Sequence, residues 1–290
     1  MSTPRTRTVL RLLAAAVLFV ACRPDTARRE ESATVPRRIV TWAPNLTEAV
    51  AALGLTDRLV ATDDFSRHTA EIAALPKLGG LFNPNLERLT ALKPDLMIVL
   101  PSNRDVARQA EALHIPVLVV PSENLLDVEN GLRAIAARCG VPDRGEEVAR
   151  RFHQDVAPRD VARGRRVLLV AGRAPGRFSE VVAAGPGTFL SELAERLGAV
   201  NVFSDVPTRW PQVSVEEIVA RQPEVIVELS SDPLDEARRA AAVAEWSTLP
   251  SLEAARSGRV FVVDGDFTLV PGPRLGLVLR EFERILGSTR

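Results

Sequence analysis

One helix–turn–strand unit occurs twice in the chain, and that duplication limits the folds available to it. Residues 85–100 read NLERLTALKPDLMIVL and residues 214–229 read SVEEIVARQPEVIVEL. Each copy opens on a residue suited to an N-cap, Asn85 or Ser214, whose side-chain oxygen can accept a free N–H of the first turn. About two helical turns follow, then a break at Pro94 or Pro223, because proline cannot continue a helix. A short aliphatic run ends each copy and reads as a buried strand. The copies lie 129 residues apart (214 − 85), too far for a solenoid and suited to two similar lobes.

A second pair supports the duplication. Residues 47–54 (TEAVAALG) match residues 191–198 (SELAERLG), an amphipathic helix stopped by glycine in each case. Strands alternating with helices imply parallel sheets covered on both faces. The expected class is therefore α/β with two lobes, and the space between lobes is a common place for a ligand. In chain order, strands are expected near residues 38–42, 59–62, 116–120, 166–171 and 260–263. Asn45 with Glu48 reads as a capping-box start to the first helix. The first lobe spans residues 37–140 and the second 164–290, with a connecting helix within 141–163. That helix, capped from Asp143 and running to Ala157, would span about 22 Å and act as a strut.

The N-terminus reads as a targeting segment. Arg5, Arg7 and Arg11 precede an apolar run over residues 12–20, too short to span a bilayer. Phe19-Val20-Ala21-Cys22 resembles a bacterial lipobox, so residues 1–22 are expected to be a lipoprotein signal ending at a lipidated Cys22. An ordinary cleaved signal with an incidental cysteine is the alternative. Residues 23–36 are polar and aperiodic and read as a flexible tether. With Cys22 lipidated, Cys139 has no disulfide partner and reads as a small core residue. The net formal charge is zero, which gives no support to nucleic-acid binding.

No catalytic constellation is visible: no phosphate loop, no nucleophile elbow, no dinucleotide fingerprint. His68, His114 and His153 are scattered without metal-ligand spacing, so no protein-built metal site is expected. Gly185-Pro186-Gly187 reads as a tight turn. What remains are aromatics at element ends: Trp42, Phe65, Phe82, Trp210 and Phe267. In open α/β sheets ligands bind beyond the carboxyl ends of the strands, where such rings offer flat apolar surface. Glu87 and Glu216 hold the same place in the two repeats. Helix-dipole stabilisation explains a glutamate there, and so does a two-fold partner that reads one carboxylate from each lobe.

Several motifs together resemble a known family. Ile39-Val40 before Pro44-Asn45-Leu46-Thr47-Glu48, then Asn85-Leu86-Glu87-Arg88 with Lys93-Pro94-Asp95, then Trp210-Pro211-Gln212-Val213-Ser214 and Pro273-Arg274 are similar to the periplasmic cobalamin-binding proteins of ABC importers. The resemblance covers nearly the whole chain after Pro36. It implies two Rossmann-like lobes with parallel sheets, joined by one long helix, with the ligand cleft between them. It implies ligand contacts at Phe65, the Leu81-Phe82 region, Trp210, Asp266 and Phe267, to which Trp42 and Arg274 are added here. It also implies that Glu87 and Glu216 dock on the permease dimer, which works with ATPase subunits. The implied protein is a non-enzymatic, lipid-anchored carrier of a corrinoid on the periplasmic or extracytoplasmic face, with no cofactor of its own. The alternative within the class is a ferric-siderophore or haem carrier, with Arg67, Arg173 or Arg274 pairing to ligand carboxylates. An enzyme built on the same lobes is the third reading, opposed by the missing acid–base set.

Overall fold

The computed structural model describes residues 34–80, 83–178 and 180–288. The first sheet has the order β2-β1-β3-β4, made of Leu59–Thr62, Ile39–Thr41, Leu96–Val99 and Val117–Val119. All its pairings are parallel, as helical crossovers between successive strands require. Those crossovers are α1 (Pro44–Ala52), then α2 (Ala70–Ala73) with α3 (Leu86–Ala91), then α4 (Arg104–Ala112).

The second sheet has the order β10-β9-β5-β6-β8, with β7 beside β5. Its strands are β5 (Arg166–Gly172), β6 (Val181–Ala183), β7 (Val200–Asn201), β8 (Gln212–Val213), β9 (Val225–Ser230) and β10 (Val260–Asp264). Here the expectation of parallel sheets needs correction, because β6 runs antiparallel to both β5 and β8. Only residues 173–180 connect β5 to β6, fewer than a crossover needs, so the chain must return antiparallel.

The repeat reappears as atomic contacts. Asn85 accepts from Arg88 N at 2.9 Å at the head of α3. Ser214 forms a complete capping box with Glu217 at the head of α8 (Val215–Arg221). After each helix a non-glycine residue takes the left-handed conformation, Lys93 at φ 45° and Gln222 at φ 42°. Each lies just before a proline, where the right-handed helical region is disfavoured. Asp95 then accepts from Arg37 N and Arg38 N, and Glu224 accepts from Arg166 N. The Arg38 guanidinium donates to Leu92 O, and the Arg166 guanidinium to Arg221 O, closing each helix end onto its strand.

The other pair also holds, since α1 and α7 (Phe189–Arg196) are each followed by a left-handed glycine, Gly54 and Gly198. The start of α1 differs from expectation. Its N-cap is Ala43, Pro44 fills the first turn, and no side chain caps it. Glu48 is instead buried and bonded elsewhere, as described below.

Between the two sheets run α5 (Leu125–Arg138) and α6 (Pro142–Asp155). The 14 residues of α6 span about 21 Å. It begins at Pro142 rather than at a cap formed by Asp143, because proline supplies the fixed φ that a first turn needs. Gly145 lets α6 lie against α5: a Cβ there would sit 2.4 Å from the Ala136 Cβ. Gly276 of α11 (Leu275–Ser288) likewise abuts Asp155 at the end of α6. One apolar cluster runs through both halves, from Ile39 and Ile98 through Phe152 and Val156 to Val167, Val227 and Phe282. A connecting helix embedded in a shared core resists bending. The remaining helices, α9 (Glu236–Trp246) and α10 (Glu253–Arg256), flank the outer face of the second sheet. No helix among the described residues is long and apolar enough to cross a membrane. Residues 1–33 lie outside the described residues, so Cys22 and most of the tether have no structural description; its last residue, Pro36, is buried and accepts from Arg58 Nη1 at 3.2 Å.

Candidate functional site

A cleft opens where the ends of the two sheets face each other. Its first wall is the loop after β2, and buried polar groups hold that loop in place. Asp63 accepts from Phe65 N at 2.7 Å and from Ser66 Oγ at 2.5 Å. The Ser66 hydroxyl meets Thr47 Oγ1 at 2.7 Å, which meets Thr41 Oγ1 at the same distance. Lys77 Nζ donates to Thr62 Oγ1, Ser66 O and Ile72 O, using all three protons. Burial pushes the Asp63 carboxyl up, opposed by its bonds from Ser66 and Phe65, and pushes the Lys77 ammonium down. The product is a fixed loop that presents Phe65 with 55% of its surface exposed.

Opposite Phe65, Arg274 ties the two halves together. It donates through Nη2 to Glu48 Oε1 at 2.5 Å and through Nη1 to Asp266 Oδ1 at 2.9 Å. Only 3% of the Glu48 side chain is exposed. Burial pushes its carboxyl up, and the bond and charge of Arg274 oppose that. Burial, aided by the Arg274 charge, pushes the His68 imidazole down. Three buried atoms at this floor, Glu48 Oε2, Arg274 Nε and His68 Nδ1, have no hydrogen-bond partner in the protein. With Phe65 and the Ser231–Pro233 turn they line a cavity of about 380 Å³.

Two further cavities adjoin it. One of about 540 Å³ shares Ser231 with the first and lies under α9. It shares Ala171 and Leu269 with another of about 290 Å³, which Trp210 and Phe189 line. Trp210 is 37% exposed and its ring tilts against Phe189 at 5.9 Å. Its loop is pinned to Gly185, whose N–H donates to Arg209 O and whose Cβ, if present, would lie 2.3 Å from Thr208 O. Gly185 thus does more than turn the chain: its missing side chain seats the Trp210 loop.

Of the residues expected in the cleft, Phe65, Asp266 and Arg274 meet in one cavity and Trp210 lines its neighbour. Two expectations need correction. Trp42 is fully buried with Val40, Met97 and Val99, because strand alternation carries Val40 and Trp42 to the outer face of the first sheet. Phe267 folds over Gly265, which takes φ 139°, and lines a separate groove with Arg239 and Arg284. Leu81 and Phe82 lie outside the described residues. Glu87 and Glu216 are exposed, one in the first turn of α3 and one in that of α8. Arg173 is committed within the second half, bonded to Glu228 at 3.0 Å and also to Glu245. Sequence reasoning missed Glu48 and His68 as cleft residues: it read Glu48 as a capping residue, and the burial of residues 45–50 of α1 shows only in the fold.

The same architecture occurs in known proteins. A vitamin B12-binding protein of Pectobacterium carotovorum is 30% identical over 201 residues, covering 67% of this chain and 71% of its own. The crystal structure of the periplasmic vitamin B12 binding protein of Vibrio cholerae superposes with a TM-score of 0.72 at 24% identity, over 88% of this chain and 99% of that one. A periplasmic haem-binding protein from Pseudomonas aeruginosa gives 0.73 at 28% identity, over 88% and 94%. Residues 39–267 match the family model described as periplasmic binding protein, and the chain belongs to that family.

Proposed function

We propose that the chain is the substrate-binding component of an ABC importer and that it captures cobalamin or a related corrinoid without catalysing a reaction. The observation that carries this reading is the state of Arg274 and Arg173, the two least exposed arginines of the cleft. Arg274 is neutralised by Glu48 and Asp266, and Arg173 by Glu228 and Glu245. A ligand held by its carboxylates needs a free guanidinium, since a buried charge must find a partner. A macrocycle edged with neutral amides instead needs both donors and acceptors. The Ser231 hydroxyl and the half-exposed Asp266 carboxylate in the cavity wall offer both. Phe65 and Trp210 supply the flat apolar surfaces. The relatives named as vitamin B12-binding proteins support the same assignment.

A haem or ferric-siderophore ligand is the second reading. Arg67 favours it, because among the described residues this cleft-lining arginine donates only to the Asp64 backbone carbonyl and has no carboxylate partner. Calorimetric titration with cyanocobalamin, haem and a ferric siderophore separates the readings. Binding of cyanocobalamin alone is expected, and binding of either iron chelate in its place overturns the assignment. In this reading residues 37–140 and 164–290 act as lobes, with 141–163 as their strut. The mature chain is held by lipid on Cys22 at the periplasmic or extracytoplasmic face, and Glu87 and Glu216 meet the permease dimer.

A further inference from the structure

The helix α9 packs on the second sheet through Val243 and Trp246 and leaves a gap beside that contact. The face that borders the gap carries Arg238, Ala241, Ala242 and Glu245, spaced as one helical face, where a fully packed crossover helix presents large apolar residues. The strand beneath answers in kind. In β9, Ile226 joins the apolar cluster around Trp246, but Glu228 and Ser230, the next residues in alternation, are polar. Truncated helix positions above polar strand positions leave the cavity of about 540 Å³.

Both ends of α9 are nevertheless fastened. Asp264 accepts from Leu234 N at 2.8 Å and from Arg239 Nη2 at 2.7 Å at one end. Trp246, fully buried, donates to Glu228 at 2.7 Å at the other. The gap is therefore a built chamber between fixed ends. It adjoins the cleft, sharing Ser231 with the cavity at Phe65 and Ala171 and Leu269 with the cavity at Trp210.

Its chemistry is ordered along its length. At the inner end the Arg173 side chain, 2% exposed, spends its donors on Glu228, Glu245 and Ala242 O. The Gly176 N–H and Arg173 hold the Glu245 carboxyl below its usual range. Two carboxylates facing one guanidinium leave acceptor capacity over, which suits hydroxyl donors, as an acidic residue at a strand end suits a ribose. At the outer end Arg238 is 74% exposed and 3.7 Å from Asp235, its only ion-pair partner among the described residues. A guanidinium so placed suits a phosphodiester. Leu234, Val262 and Leu269 give an apolar wall for a flat heterocycle.

Resting on the corrinoid reading, we infer that this chamber receives the nucleotide arm of the ligand, its sugar, phosphate and heterocyclic base, while the macrocycle lies in the cleft between Phe65 and Trp210. The chamber then sets specificity: it distinguishes complete corrinoids from those that lack the arm.

The test titrates the mature chain with cyanocobalamin and with dicyanocobinamide, the same macrocycle without the nucleotide arm. Ala241→Phe fills the chamber from an exposed helix position, and Arg238→Ala removes a solvent-facing side chain, with melting temperatures confirming the fold of both. Ala241→Phe is expected to weaken cyanocobalamin binding by about tenfold or more and to leave cobinamide within about twofold. Arg238→Ala is expected to weaken cyanocobalamin alone, by a smaller factor. If the variants weaken both ligands equally or affect neither, the chamber assignment is overturned and the corrinoid reading stands. If the unaltered chain binds neither ligand, both fall together.

Discussion

Arg274 donates to Glu48 across 226 residues of sequence at 2.5 Å, and this bond joins the first helix of one half to the turn that leads into the last helix of the other at the cleft floor. Burial is the largest influence on Glu48 and raises its pKa. The sign of the consequence follows from linkage. Above the ordinary value of 4.5 there is a window in which the folded chain keeps this proton and the unfolded chain has released it. Stability contributed by Glu48 is full below that window and is lost as pH rises through the folded pKa. Glu48→Gln keeps an acceptor for Arg274 but does not titrate. From below pH 4.5 to neutral, the melting temperature of the variant is therefore expected to gain on that of the unaltered chain. Parallel melting curves across that range would remove Glu48 as a titrating group.

Trp210 and Trp42 should separate cleanly in experiment. Losing an aromatic surface against a macrocycle costs about 1.5–3 kcal/mol, so Trp210→Ala should weaken corrinoid binding by roughly tenfold to a hundredfold. Trp42→Phe should lower the melting temperature and leave affinity unchanged, because that side chain has no exposed surface. Calorimetry beside thermal melts reads both. Equal affinity in Trp210→Ala would place the macrocycle elsewhere.

Gly145 tests the strut. An alanine there would force its Cβ to 2.4 Å from the Ala136 Cβ, a clash carried by two helix backbones that no rotamer can relieve. Overpacking of this kind costs about 1–3 kcal/mol, partly offset by a gain in helix propensity of up to about 1 kcal/mol. A net loss of about 1–2 kcal/mol, a fall of several degrees in Tm, is expected. Gly287→Ala is the control, since its Cβ would meet only Val161 at 4.0 Å. Equal stability of the two variants would show that α5 and α6 are free to separate.

What was legible in the sequence was local. The N-caps Asn85 and Ser214, the proline breaks and the buried strands β3 and β9 each depend on a few neighbouring residues, and all appear as expected. Trp42 and Phe267 were legible as residues at strand ends, but not the side to which each turns, which the sheet alternation and the turn at Gly265 decide. Nor could spacing show that Arg173 and Arg274 are already neutralised, because Glu228, Glu245 and Glu48 lie 55, 72 and 226 positions from them and only Asp266, 8 positions from Arg274, is near in sequence. The antiparallel β6 turned on a connection too short for a crossover, a length that was visible in the sequence but was not read.

The anchor is tested at Cys22. From the basic residues, apolar run and lipobox-like Phe19-Val20-Ala21-Cys22, a mature chain that begins at a lipidated cysteine is expected. Mass spectrometry of membrane-extracted protein should show the diacylglyceryl adduct, and Cys22→Ser should release the chain from the membrane fraction. A mature N-terminus at any other residue would exclude the anchor.

Glu87 and Glu216 bring the internal repeat to bear on transport. Each is exposed in the first turn of its helix, and each follows the N-cap of the same duplicated unit. A partner with two like subunits could therefore read one carboxylate from each half. Exposed ion pairs are usually worth under about 1 kcal/mol, but loss of one partner inside a desolvated interface can cost several. Reversing both charges, Glu87→Arg with Glu216→Arg, should abolish delivery to the permease while ligand affinity stays unchanged. If the two residues serve only the helix dipole, each reversal should cost about 0.3–1 kcal/mol of stability and transport should continue. Reconstituted transport, measured beside the melting temperature of the double variant, decides between these outcomes, and full transport activity would end the docking role.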